Sequence, residues 1–460
     1  MTEPDRTARL ASRSDPSPFQ RRATSVVMSF LFSQRRQDLS RRFLELRRRL
    51  TGSPHRVEYF HQADDPYSHA ACQLLEPLAA AYDIELAIHL TGPNTGANNP
   101  EPELLAAFAR RDVAAMAPHR GLRFDDPGSQ PAPEAVEGAQ GLLVGALEKR
   151  EFAALAPRIG EALWSGDKDA LEALAATHAP ADPAAMRAAV EQGTKRRRRL
   201  GHYSGGMFYY AGEWYWGVDR IDHLEKRLAS LGATRDGAET PIAPRPEIDP
   251  GPVRDDGSIS LEFFPSLRSP YTAASFDPTL TLARQSGVRL VLRPVLPMVM
   301  RGVPATFDKG RYIFTDAGRE AALLGTPYGP FLDPIGAPVK RGYSLYPWAA
   351  SQGKGAELLS SFLRAAFSQG VDTGSDEGMK QVVEQAGLSW SEARAHLDTT
   401  DWEEELEANR LAMVNELGLW GVPSYRVSGP TGEPDYAVWG QDRLWLVAHE
   451  IRRRIALRRT

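Results

Sequence analysis

Cysteine is almost absent. Among 460 residues only Cys72 carries a thiol, which excludes an intrachain disulfide framework and a thiolate metal cluster. Such sparse usage points to a reducing, cytoplasmic compartment. The apolar stretch VVMSFLF, Val26 to Phe32, is far short of the ~20 residues that a bilayer span needs. It follows Arg21-Arg22 as in a signal peptide, but Ser33-Gln-Arg-Arg comes next, without a small-x-small cleavage site. An overall basic excess is missing too. A net charge of -4 and a pI near 6.2 argue against general nucleic-acid binding. His55, His61, His69 and His89 are scattered without a metal-ligand spacing, so no metal site is read.

What is present is an ordinary globular composition, 42% hydrophobic and 25% charged, with length for two or three domains. The exception is a basic N-terminal extension, 1–54, whose arginines far outnumber its acids. Residues 22–50 read as one amphipathic basic helix. Two placements stand open, packing on the protein or peripheral contact with an anionic membrane surface. The run KRRRR, Lys195 to Arg199, reads as the cationic C-terminal end of a helix rather than a nucleic-acid patch.

One plan occurs twice. VEYFHQADDPYSHAAC (57–72) parallels LEFFPSLRSPYTAASF (261–276), setting Asp65-Pro66-Tyr67-Ser68 opposite Ser269-Pro270-Tyr271-Thr272. Strand candidates IELAIHL (84–90) and VRLVLRPVL (288–296) follow. Downstream, GEWYWGVDRIDHLEKRL (212–228) parallels PDYAVWGQDRLWLVAHEI (434–451). Helical blocks fill the middle of each unit, with apolar residues at helical spacing. The boundaries are 55–232 and 258–455, joined by a Pro-, Gly- and Asp-rich linker, 233–257. In each unit a strand breaks at a turn that carries proline in the first helical position. Ser269, just before Pro270, therefore sits where free backbone N–H groups and the positive end of a helix dipole converge.

These signatures resemble the DsbA group of thioredoxin folds, in its branch of 2-hydroxychromene-2-carboxylate isomerases and kappa-class glutathione transferases. The resemblance rests on SPYTAA (269–274), LRPVL (292–296), KGRYIFTDAGREAALLGTP (309–327), GLWGVPSY (418–425) and WGQDRL (439–444). It implies an α/β fold of two tandem thioredoxin-like domains, each with an inserted helical subdomain and a cis-proline loop facing the turn. The first unit reads as a degenerate copy, with Gly206 of LGHYSGGMF standing where Pro423 stands in LGLWGVPSY. Asp65 there replaces the hydroxyl with a carboxylate that would repel a thiolate.

Disulfide exchange needs a thiolate and a resolving thiol. The turn positions hold Asp65 and Ser68, or Ser269 and Thr272, so dithiol chemistry is excluded by residue identity. The resemblance implies instead that glutathione brings the sulfur. Ser269 is then the catalytic residue, donating to that sulfur, and Val422 beside Pro423 pairs its backbone with the cysteinyl part. Gln441 and Asp442 hold the γ-glutamyl end, and Arg443 orients Asp442 or meets a carboxylate. The substrate is a small electrophile that the thiolate attacks reversibly at a conjugated double bond, as in the isomerases. Kappa-type conjugation is the alternative. So is a non-catalytic binding module, in which Ser269 merely caps its helix and Asp442–Arg443, mirrored by Asp219–Arg220, is a structural pair. Tyr312, Asp316, Lys309 and Arg301 either face the cleft or serve packing and solvation.

Overall fold

The computed structural model describes residues 16–31, 33–303, 306–430 and 432–458. Residues 1–15 of the basic extension and Phe32 lie outside the described residues. The chain is α/β and divides into two compact units, one of Asp38–Pro246 and one of Met1–Gln37 with Glu247–Thr460.

In the first of these, β1 (His55–His61) is buried at every position but Arg56, as a central strand covered on both faces must be. It runs parallel to β2 (Ile84–Leu90) and antiparallel to β3 (Met207–Tyr210), which pairs with β4 (Glu213–Trp216). The order is β2-β1-β3-β4. Five longer helices, from Pro102–Met116 to Pro183–Arg199, lie between β2 and β3, and Gly217–Ser230 closes the unit.

The other unit repeats this order. Its β5 (Ser260–Phe264) is parallel to β6 (Arg289–Leu292) and antiparallel to β7 (Ser424–Ser428), which pairs with β8 (Tyr436–Trp439), giving β6-β5-β7-β8. Helices from Phe307–Leu323 to Trp402–Leu411 are inserted between β6 and β7, and Leu444–Leu457 closes it. Phe263 stacks on Tyr425 at 5.2 Å and touches Phe276, locking β5 to β7 and to the Pro270–Ser286 helix.

Each central strand also carries one buried glutamate. Glu58 in β1 accepts from Arg196 at 2.6 and 2.8 Å and bonds His89 at 3.0 Å. Glu262 in β5 accepts from Arg293 and Arg426. A buried carboxylate is tolerated only when paired in this way. Arg196 therefore belongs to the sheet, and its neighbour Arg197 is buried on Thr91 and Gly92, so the KRRRR run is only partly a solvated helix end.

The N-terminal segment is not one helix but two, Pro18–Leu31 and Gln34–Thr51. Ser33 makes the break. Its hydroxyl donates to the Phe30 carbonyl and accepts from the Arg36 N–H, so it ends one helix and starts the next. The linker 233–257 has no helix or strand but is held at both ends. Within the first unit Ile242 N donates to Glu225 at 2.8 Å; within the other, Asp255 N donates to Ser286 O at 2.7 Å.

Candidate functional site

After β5 the chain turns through Pro265–Arg268 and enters the Pro270–Ser286 helix with Ser269 as its cap. Ser269 Oγ accepts from Thr272 N at 3.1 Å and donates to the Val422 carbonyl at 3.4 Å. The first contact satisfies one of the orphan N–H groups of the helix. The second, which is long, brings the cap against the loop that opens β7, where the Val422–Pro423 bond is cis. Glycine is required at that loop. A Cβ on Gly421 would lie 2.2 Å from the indole of Trp439, which tilts against Trp420.

Pro423 ties this pair to the next segment, since its carbonyl accepts from Gly440 N at 2.9 Å. Gln441–Arg443 then form one 3-10 turn packed on the Pro270–Ser286 helix. Gln441 is buried with its amide on Glu320, and Arg443 is buried with its guanidinium 3.7 Å from Asp442. Of the residues expected to bind, Ser269, Val422 and Asp442 remain partly accessible. Asp316 is fully buried and accepts from the Tyr271 hydroxyl at 2.8 Å, which makes it a packing partner of the turn. Lys309, half-buried on the Phe307–Leu323 helix, is pushed down to about 8 by desolvation. Arg301 donates to the Leu296 carbonyl, a local loop contact.

The corresponding turn of the other unit carries a carboxylate in place of the hydroxyl. Asp65 caps the Pro66–Cys72 helix, accepting from Tyr67 N, from Ser68 N at 3.0 Å and from Ser68 Oγ at 2.6 Å. The loop bearing Gly205 and Gly206 presses directly on it. A Cβ on Gly206 would lie 3.1 Å from Ser68 N, and one on Gly205 would lie 3.0 Å from Ser68 Oγ. Gly206 has φ +63°, and no cis bond occurs in the described residues of this loop. Burial raises the Asp65 carboxyl to about 6, aided by the charge of Asp64. Cys72 is buried one turn further on, its thiol donating to the His69 carbonyl, and burial lifts it well above the ordinary thiol range.

Sequence reasoning missed a tyrosine–carboxylate pair in each unit: Tyr67 donates to Asp112 at 2.7 Å as Tyr271 does to Asp316. The signal was there, because the two pairs have the same separation of 45 residues.

Residues 260–452 match the DSBA-like thioredoxin domain. The strands β5–β8, the Ser269 turn and the cis-proline loop all lie within the DsbA-like stretch. No curated protein matches the chain. Among solved structures it is similar to a 2-hydroxychromene-2-carboxylate isomerase, at 19% identity over 42% of this chain and 95% of that one, with a TM-score of 0.34. It is also similar to the cytosolic disulfide reductase DsbM from Pseudomonas aeruginosa, at 19% identity over 43% of this chain and 99% of that one, TM-score 0.34. At this level the likenesses carry no argument about activity.

Proposed function

We propose that the chain is a glutathione-dependent, isomerase-like enzyme whose working site lies at Ser269, Val422 and Asp442. The carrying observation is the meeting of the Ser269 hydroxyl, at a helix N-terminus, with the Val422 carbonyl beside Pro423. The donor set fits a thiol-bearing tripeptide. A hydroxyl and converging N–H groups favour an anionic sulfur, an accessible backbone can pair with a peptide, and a carboxylate can face an ammonium group. When bound, glutathione would supply the thiolate that adds reversibly to a conjugated double bond of a small electrophile.

The chain's own contribution is electrostatic and positional. Ser269 Oγ has a single proton to donate, now spent on a 3.4 Å contact. Releasing it to a sulfur sacrifices little, because a hydrogen bond of that length is weak. Thr272 N–H stays on the hydroxyl and keeps it aimed. Buried Arg443 lies beside Asp442, and Gln441, in only a long contact with Glu320, can turn its amide to the γ-glutamyl end together with Asp442. Lys309, with its lowered pKa, is placed on the inserted helices that would wall an electrophile's pocket.

We read 55–232 as a degenerate duplicate of 258–455. The shared strand order and the paired Tyr67–Asp112 and Tyr271–Asp316 bonds support a tandem duplication. Asp65 and the pressed glycine loop make the first copy structural. A second reading, a non-catalytic binding module, draws on the same Ser269 geometry, since the hydroxyl already serves as a cap.

Glutathione-affinity capture followed by calorimetry separates them. Binding by the wild-type chain, weakened by Ser269→Ala and by Asp442→Ala, supports the enzyme site. No binding by the wild type supports the module. Retained binding in Ser269→Ala with loss in Asp442→Ala removes Ser269 from its role.

A further inference from the structure

The first of the two N-terminal helices faces the protein with its polar side. On Pro18–Leu31 the inward residues are Arg21, Ser25 and Ser29. Ser29 Oγ donates to the Phe331 carbonyl, Ser25 Oγ accepts from Asp333 N, and the neighbouring Arg22 forks onto Asp372. The exposed residues are Phe19, Val26, Val27 and Phe30, one helical stripe. On Gln34–Thr51 the contacts to the protein are mixed: Arg41 forks onto Glu213 and Leu44 lies against Gly212, while Arg48 pairs with Glu45 inside the helix. Its outward stripe is Leu39, Phe43, Leu46 and Leu50, at 65, 65, 56 and 78% exposure. The spacing i, i+4, i+7, i+11 puts all four on one face.

The charges around that second stripe are of one sign. Arg35, Arg42 and Arg49 recur every seven residues along one flank, and Arg36 and Arg47 lie along the other. All five are exposed. The helix's only acids, Asp38 and Glu45, are paired within the helix, Asp38 with Arg41 and Glu45 with Arg48 and Arg49, which leaves Arg35 and Arg42 on that flank. An apolar ridge with cations on both shoulders, carried by a chain of net charge -4, matches a planar anionic surface with an apolar interior. Arginine stems can lie along acyl chains while their heads reach phosphates.

We propose that the Gln34–Thr51 helix docks the protein on anionic lipid, its Leu39–Phe43–Leu46–Leu50 ridge entering the interface and its flanking arginines meeting headgroup phosphates. This peripheral contact spans nothing: no helix among the described residues is long and apolar enough to cross a membrane. It is independent of the glutathione reading, which concerns other residues.

The test is co-sedimentation of the full chain with phosphatidylcholine vesicles, with and without about 30 mol% phosphatidylglycerol. The chain should pellet with the anionic vesicles only and be released by high salt, which screens the arginines. Two variants, Leu39→Ser/Phe43→Ser/Leu46→Ser and Arg35→Glu/Arg42→Glu/Arg47→Glu, should each cut the bound fraction by about tenfold or more. Because these side chains are exposed, circular dichroism should show both variants folded. No pelleting with anionic vesicles, or undiminished pelleting of the serine variant, overturns the proposal. So does a wild-type dimer in sedimentation that the serine variant dissolves while vesicle binding is absent, which would assign the ridge to a second copy.

Discussion

Serine and aspartate hold the same cap position in the two units, and either oxygen satisfies the helix N-terminus. They differ toward a thiolate, which a hydroxyl can stabilise and a carboxylate repels. Ser269→Asp should therefore leave the melting temperature of the protein nearly unchanged while weakening glutathione binding by at least about tenfold. Thermal unfolding and calorimetry on one preparation check both halves. Asp65 makes a prediction of opposite kind. Its folded pKa, about 6, lies above the ordinary 3.8, so the folded state binds the proton more tightly. Its favourable contribution is fully present below pH 3.8 and is lost as pH rises through about 6. A shift of this size corresponds to about 3 kcal/mol at most, at about 1.4 kcal/mol per unit. Asp65→Asn, which still caps, should thus gain stability relative to wild type between pH 4 and pH 7.5, by roughly 1–3 kcal/mol. Urea titrations at the two pH values read this directly. A difference that does not change with pH would contradict the raised carboxyl of Asp65.

At the scale of elements, much was legible. The strand–turn–helix openings, 57–72 and 261–276, show a buried strand ending at a proline-started helix, and local chemistry alone dictates that. The break in the N-terminal segment was not. A run of apolar residues at helical spacing tells that a face exists but not which way it turns, and here the serines and arginines turn inward. Nor could the sequence show that Gly205 and Gly206 fill the first turn, because that contact joins residues some 140 apart in the chain. Ser269, Val422 and the Gln441–Arg443 turn were readable as a set through their motifs. Their unequal exposure was not, since it is set by contacts between segments far apart in the chain. The glycine loop makes its own prediction. Gly206→Ala adds a Cβ at φ +63° and 3.1 Å from Ser68 N, so it should destabilise the protein by about 1–2 kcal/mol. Tyr271→Phe should cost a similar amount, about 1–2 kcal/mol, by stripping a hydrogen bond from the buried Asp316 carboxyl. Denaturant unfolding of each variant gives the numbers, and an unchanged midpoint for either removes that contact from the account.

For the whole molecule, the two units share one strand order, but only one sets a serine cap beside a cis-proline loop, while the other sets Asp65 beside a glycine loop. The chain should accordingly carry a single glutathione site, although it has two sheets of the same design. The lone thiol, Cys72, is buried and strongly disfavoured as a thiolate, so it offers no competing nucleophile. Stoichiometry therefore decides more than affinity does. The most direct measurement is calorimetric titration of glutathione into the full-length wild type, Ser269→Asp and Asp65→Asn. One site per chain, lost in Ser269→Asp and unaltered in Asp65→Asn, is the predicted result. Absence of binding in the wild type, or a site that survives Ser269→Asp, would contradict it.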